Sequence, residues 1–296
     1  MFDFRYHVVS LAAVFIALVL GILIGVGISG RGVLEEAERI RLSGEIARLE
    51  SQLEAARARR GEQEAAVAFV QESYEAVMNG RLEGRNVLIV FVGAHEGAAA
   101  TRSAIVDAVT QAGGSPVRLR VLAMPVEAEA LERMLAGDEE LAELAGEERL
   151  GDLGRRLGEE LVAGGDTPYW DALATQLVVE RSGRDNVPAD AVVVARAPHE
   201  EELDDDTAAF LEGLYSGLAA DVPAVAVERA GTEPSTIEDF RRTSLSSVDN
   251  VDHAIGRVAL VLLLAGGPAG HYGLGEEADA TLPPVEPAEP APPADE

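Results

Sequence analysis

Cysteine is absent from this 296-residue chain. That excludes disulfides, thiolate metal sites, iron–sulfur clusters, cysteine nucleophiles and lipoprotein acylation together. Lysine is absent too, so all 24 basic residues are Arg. They face 52 acidic residues, for a formal charge of −28. Sequence-independent nucleic-acid binding needs a surplus of basic groups, and so does a polybasic hold on anionic lipid. Neither fits here. Aromatic residues make up only 4% of the chain, against 47% hydrophobic residues in all, so Ala, Val and Leu must fill the core. Motifs for catalysis are missing as well. There is no G-x-S-x-G elbow, no Walker A and no H-E-x-x-H. The expected class is non-enzymatic.

What is present begins at the N-terminus. Val8 to Ile28 is a run of 21 residues in which Ser10 is the only polar side chain. At 1.5 Å per residue a helix of this length covers roughly 31 Å, the thickness of a bilayer core. The reading is a membrane anchor over residues 1–30. The rival is a cleaved signal peptide, with Gly27 and Ser29 in a small-x-small pattern. Ala13, Ala17, Gly21, Gly25 and Ser29 recur every fourth residue, and small residues let helix backbones approach closely in lipid. Gly21 and Gly25 are therefore candidates for self-association. Gly25-Val-Gly27-Ile-Ser-Gly30 matches G-x-G-x-x-G literally. It ends an apolar span instead of joining a strand to a helix, so it is not a nucleotide fingerprint.

A break is expected at Gly30-Arg31-Gly32, then a coiled coil over residues 31–80. Leu42, Ile46, Leu49, Leu53, Ala56, Arg60, Gln63, Val67, Val70, Tyr74 and Val77 alternate spacings of four and three, about five heptads. Arg60 and Gln63 form a polar layer of the kind that sets register and partner choice. A second copy of the chain, or another protein at the coil, would be the partner. Asn79-Gly80 is a helix stop.

Residues 81–275 read as an α/β head. Strands are expected at Asn86–Val92, Val117–Leu122, Ala191–Ala195 and Ala224–Val227. Helices are expected at Ala98–Ala112, Tyr169–Arg181, Leu203–Ala219 and Val251–Ala265. Val126–Ala163 reads as acidic and helical, broken at Gly137, Gly146, Gly151 and Gly154. Apolar strands alternating with helices give a doubly wound, mostly parallel sheet. The tail, residues 276–296, has seven acidic residues, six prolines and no basic residue, the composition of a disordered segment.

Ligands of such sheets sit beyond the carboxyl ends of the strands. Gly93-Ala-His95-Glu96-Gly97 lies there, either as an anion-accepting helix start with acid–base groups or as an ordinary turn. Asp249, Asp252 and His253 precede the last helix, with Asp252 placed to cap it or to hold a divalent cation. Gly270-His271-Tyr272-Gly273 reads as a turn, for recognition or for pinning the chain end. Candidate metal ligands by residue type are thus His95, Glu96, Asp249, Asp252, His253 and His271.

The opening FRYHVVSLAAVFIALVLGILIGVG, the coil, the VLIVFVG strand, the Ser247-Val-Asp-Asn-Val-Asp252 segment and Gly270-His-Tyr-Gly273 together resemble the MctB family. The likeness covers nearly all of the chain except its tail. Members are mycobacterial copper transport proteins, and a relative, SteB, is linked to actinobacterial cell separation. The resemblance implies an N-terminal membrane anchor, a head exposed in the envelope outside the cytoplasm, and a role in copper homeostasis. The residues alone do not supply a copper site. Copper(I) prefers thiolate, thioether and imidazole. The Met residues (1, 78, 124, 134) and His residues (7, 95, 199, 253, 271) form no close pairs in sequence. No resident cofactor is expected; copper enters by resemblance only. One apolar helix makes no pore, and the strands lack the ten-residue alternation of a membrane barrel. The charge around the span is divided, with Arg5 before it and Arg31, Arg39 and Arg41 after it. Two functions stay open: copper homeostasis, and a coiled-coil scaffold in envelope assembly or cell separation.

Overall fold

The computed structural model describes residues 4–93, 97–139, 141–146, 149–198 and 203–284. Two compact units result, residues 1–62 and 63–296. The first helix, α1 (Phe4–Met78), contributes to both. It runs without interruption through Gly30-Arg31-Gly32, where the sequence suggested a break. Two glycines weaken a helix by about 1 kcal/mol each, but each keeps its N–H, so the hydrogen-bond ladder survives where a proline would cut it. Within α1, Val8, Leu11, Val14, Ile22, Leu23 and their apolar neighbours are exposed, as are Leu42, Ile46, Leu49 and Leu53.

The head is a seven-stranded sheet in the order β3-β2-β1-β4-β5-β6-β7. Its strands are β1 (Asn86–Val92), β2 (Ser115–Leu122), β3 (Val178–Gly183), β4 (Ala191–Arg196), β5 (Ala224–Val227), β6 (Ser246–Val248) and β7 (His271–Tyr272). All neighbours pair in parallel except β2 with β3. Side chains along a strand alternate between faces, so β1 feeds two cores. Val87, Ile89 and Phe91 pack with α2 (Ala98–Gln111) and α8 (Ala254–Leu264). Leu88, Val90 and Val92 pack with α3 (Ala128–Leu135), α4 (Leu150–Ala163), α5 (Pro168–Leu177) and α6 (Asp205–Leu218). A further short helix, α7 (Ile237–Arg241), seats Phe240 in that second core.

Four further expectations need correction. Tyr169–Arg181 is not one helix: α5 ends at Leu177, and Val178–Gly183 turns into the antiparallel edge strand β3. Pairing with β2 outweighs the helical pattern there. The acidic stretch does leave the helix at Gly137 and Gly146, but α4 continues through Gly151 and Gly154. These glycines face α6 at backbone contact. A Cβ on Gly154 would lie 2.1 Å from the Phe210 carbonyl oxygen, and one on Gly158 2.6 Å from that of Leu214. From the other side, Gly213 and Gly217 would meet the Gly151 and Arg155 oxygens at 1.9 and 2.1 Å. Glycine here is a packing requirement instead of a stop. The last helix starts at Ala254, not Val251, and His253 is its N-cap residue.

The fourth correction concerns the start of the tail. Residues 276–284 are held on the head: Ala280 bridges Tyr272, Asp279 accepts from Arg241 Nη2 at 3.0 Å, and Leu282 packs against the core. The remainder, 285–296, lies outside the described residues.

Candidate functional site

Strand order reverses between β1 and β4, which opens a crevice beyond their carboxyl ends. A cleft of about 250 Å³ lies there, lined by Gly97, Thr101, Arg196, Glu228, Arg229 and Thr232, among others. Each wall follows from chain position. Gly97 starts α2 with φ +92, a left-handed conformation that favours glycine. Arg196 is the last residue of β4. Glu228 and Arg229 follow β5 directly.

Arg196 is almost wholly buried, with its side chain 6% exposed. It pairs with Asp239 of α7, and its guanidinium carbon lies 5.2 Å from the Phe240 ring centre. Burial pushes the Asp239 carboxyl up, but the Arg196 and Arg242 cations outweigh it and hold the group below its ordinary range. The Glu228 carboxylate accepts from the Ser235 hydroxyl (2.8 Å), the Thr236 N–H (2.8 Å) and the Thr236 hydroxyl (3.0 Å). Burial nonetheless raises its pKa. Arg229 is half-exposed and stands 3.7 Å from Asp252.

A second cleft, about 500 Å³, runs between α6 and α7 on the other side of Arg196, with Leu211, Tyr215, Asp239 and Arg242 in its walls. The Tyr215 phenol is packed against Phe240 at 5.4 Å, and burial pushes its pKa up to about 12. It stays protonated, a donor and not a base.

Of the six residues named from sequence as possible metal ligands, the four that lie among the described residues do not converge. His95 and Glu96 lie outside the described residues. Asp249 is buried and accepts from the Leu274 N–H (3.0 Å) and Gly275 N–H (2.8 Å), while burial raises its pKa. It ties the end of β6 to the chain after β7. Asp252 does not cap α8; it accepts from the Ala230 N–H at 2.9 Å. His253 is exposed, and its side chain makes no capping bond. The His271 Nδ1 lies 2.8 Å from the Ser247 hydroxyl, a cross-strand pair between β7 and β6. Burial is the main reason its pKa is lowered. Ser247 is 1% exposed, so this Ser–His pair joins two strands and offers no accessible nucleophile. Among the described residues, no three His, Cys, Asp or Glu side chains gather as a metal site would require.

The self-association candidates divide in the same way. Nothing lies within 4 Å of a Cβ placed on Gly21 or Gly25. Leu42, Ile46, Leu49 and Leu53 are each at least half exposed. The side chains of Val67 and Val70 lie outside the described residues. Tyr74 is engaged within its own chain. Its hydroxyl donates to Gln111 Oε1 at 2.8 Å, and Arg257 stands 5.8 Å over its ring.

Arg196, Glu228 and Arg229 were missed from sequence, although a signal existed. Each follows an apolar β-branched run, at the carboxyl end where open α/β sheets place their ligand-facing groups.

Known proteins supply the remaining context. The family model described as "Copper transport outer membrane protein, MctB" matches residues 1–283. Copper transporter MctB of Mycobacterium tuberculosis (strain ATCC 25618 / H37Rv) is 29% identical over 323 aligned positions, covering 94% of this chain and 98% of the relative. Copper transporter MctB of Mycobacterium bovis (strain ATCC BAA-935 / AF2122/97) matches with the same figures. No solved structure matches the chain. With the family pattern running from the N-terminal apolar helix through the last strand of the sheet, this chain belongs to the MctB family of copper transport proteins.

Proposed function

We propose that this chain is a single-pass, membrane-anchored envelope protein that serves copper homeostasis, with a non-enzymatic head outside the cytoplasm. The observation that carries the reading is the family match over residues 1–283. The anchor is supported by His7–Val26, whose mean hydropathy is 2.9 and which is not buried among the described residues. The metal is cargo of the pathway and not a resident group of the head. Support for this comes from the donor chemistry: the chain has no thiolate, and its described imidazoles are dispersed. The chain therefore acts beside the copper-carrying step, as an anchored component that associates with copies of itself.

A second reading is favoured by the exposed heptad face of Leu42, Ile46, Leu49 and Leu53. There the coil recruits a partner in envelope assembly or cell separation. Total cell copper separates the two. A strain lacking the gene accumulates copper when grown with added copper, and the full chain reverses this. Unchanged copper in the deletion strain would overturn the homeostasis reading and leave the scaffold.

A further inference from the structure

We propose that α1 pairs with α1 of a second copy of this chain, parallel and in register, along one left-handed seam that runs from the apolar span into the exposed heptads. The inference deepens the self-association of the copper reading and rests on it.

Three observations converge. First, one helix carries both regions. α1 runs unbroken from Phe4 to Met78 and contains no proline, and a sharp kink needs a proline, a bulge or a similar break in the ladder. Second, the two regions share one phase. Leu42, Ile46, Leu49 and Leu53 take positions d, a, d and a of a heptad and are each at least half exposed. The same count carried back along the helix puts Gly25 at a and Gly21 at d. Leu18 and Val14 take the next a and d positions, and both are more than half exposed. Third, nothing lies within 4 Å of a Cβ placed on Gly21 or Gly25, so the seam leaves room for a second backbone.

The bilayer selects the occupant. It must be a single helix, apolar across the membrane and heptad-patterned beyond it, at the same height. A second copy meets all three conditions. Both spans insert with the same orientation, so the pair is parallel. The bilayer holds both apolar stretches at one depth, so the pair is in register.

Distance decides the hand. Gly21 and Gly25 also continue a period-four stripe with Ala13 and Ala17, whose familiar pairing is a right-handed crossing of about −40°. Leu42 lies 19 residues beyond the midpoint of the two glycines, about 28 Å along a helix. Helices crossing at about −40° stand roughly 20 Å apart by then, twice the separation of about 8–10 Å at which helices pack. The heptads could not meet. A crossing of about +20° keeps the axes together. A straight helix lets a heptad stripe drift by roughly 60° over the three heptads from Gly25 to Ile46, and left-handed supercoiling removes that drift.

The chain has no cysteine, so a single cysteine substitution supplies its only thiol. Iodine oxidation of such full-length variants in membranes tests the proposal, because a disulfide forms only where two Cβ atoms come within about 4.5 Å. Leu49→Cys, Leu18→Cys and Val14→Cys should each give several-fold more covalent dimer than Ser51→Cys and Ala13→Cys, which lie away from the seam. Dimer at Leu49→Cys with Ala13→Cys ahead of Val14→Cys would overturn the single seam in favour of the right-handed crossing. Absence of dimer at Leu49→Cys would overturn pairing with a second copy and assign the seam to another membrane protein. Total cell copper is a separate readout. The expected cross-linking pattern in cells whose copper does not depend on the chain would support the seam and remove the homeostasis reading alone.

Discussion

Two sets of glycines spaced four apart lie in opposite surroundings. Gly154-x-x-x-Gly158 on α4 and Gly213-x-x-x-Gly217 on α6 hold two helices of the head at backbone contact. Gly21-x-x-x-Gly25, in the apolar stretch of α1, has no atom within 4 Å of where a Cβ would stand. The spacing is the same because the geometry is the same: residues four apart share a helix face, and the absence of a side chain lets a second backbone come close. The difference lies in where the second helix comes from. In the head it is another part of the same chain. Around Gly21 and Gly25 no described residue takes that place, and on the proposed reading a second copy of the chain does.

The largest effect that would break this comparison comes from Gly154→Ala. The new methyl would sit 2.1 Å from a carbonyl oxygen. Overpacking costs 1–3 kcal/mol where side chains can yield; backbone yields less, so a loss of about 3 kcal/mol or more is expected, seen as a large fall in melting temperature. Gly21→Leu with Gly25→Leu should leave the melting of the head unchanged and instead reduce dimer in detergent or bilayers. Equal melting of both variants would sink the comparison.

A second test sharpens it at the coil. Leu49→Asp with Leu53→Asp should turn the soluble fragment 31–296 from an oligomer into a monomer by light scattering. A wild-type fragment that is already monomeric would contradict self-association through this face.

Asp249→Ala is expected to cost about 1–3 kcal/mol, because it removes the two charge-assisted hydrogen bonds that the carboxylate accepts from the Leu274 and Gly275 N–H groups. Limited proteolysis should then cut first between residues 270 and 284. At His271 the effect depends on pH. Its lowered folded pKa means that the unfolded chain takes up a proton first. The contribution of His271 is thus complete above the ordinary value of 6.5 and is lost as pH falls through the folded value. His271→Gln should remove that limb from a plot of melting temperature against pH. The smallest change is Tyr74→Phe. It deletes one hydrogen bond, to Gln111, for about 0.5–1.5 kcal/mol, and leaves the coil's oligomeric state unaltered.

How far the sequence reached follows from the same physics. β1, β4 and β5 were legible because a parallel strand buried on both faces must be apolar at every position. The helices α2 and α6 were legible from periodicity and their ends. β6 and β7, with three and two residues, carry no pattern, and β3 is exposed along most of its length and exists through its pairing with β2. The glycines of α4 read as breaks because glycine punctuates helices in general; only the approach of α6 explains them. At the candidate site, Gly97 was visible as a turn. Arg196, Glu228 and Arg229 come together only through strand order, which periodicity does not contain. Asp249 and His271 were named from sequence as candidate metal ligands; in the structure Asp249 accepts from two backbone N–H groups and His271 pairs with Ser247 of the neighbouring strand.

On the proposed reading, the anchored chain and not a copper-binding head serves copper homeostasis. Total cell copper, measured under added copper in a deletion strain, tests it most directly. The strain would carry the full chain, a His253→Ala/His271→Ala chain, or the head with its span replaced by a cleavable signal peptide. The account predicts that the first two restore low copper and the released head does not. Restoration by the released head, or failure of the histidine variant, would contradict it.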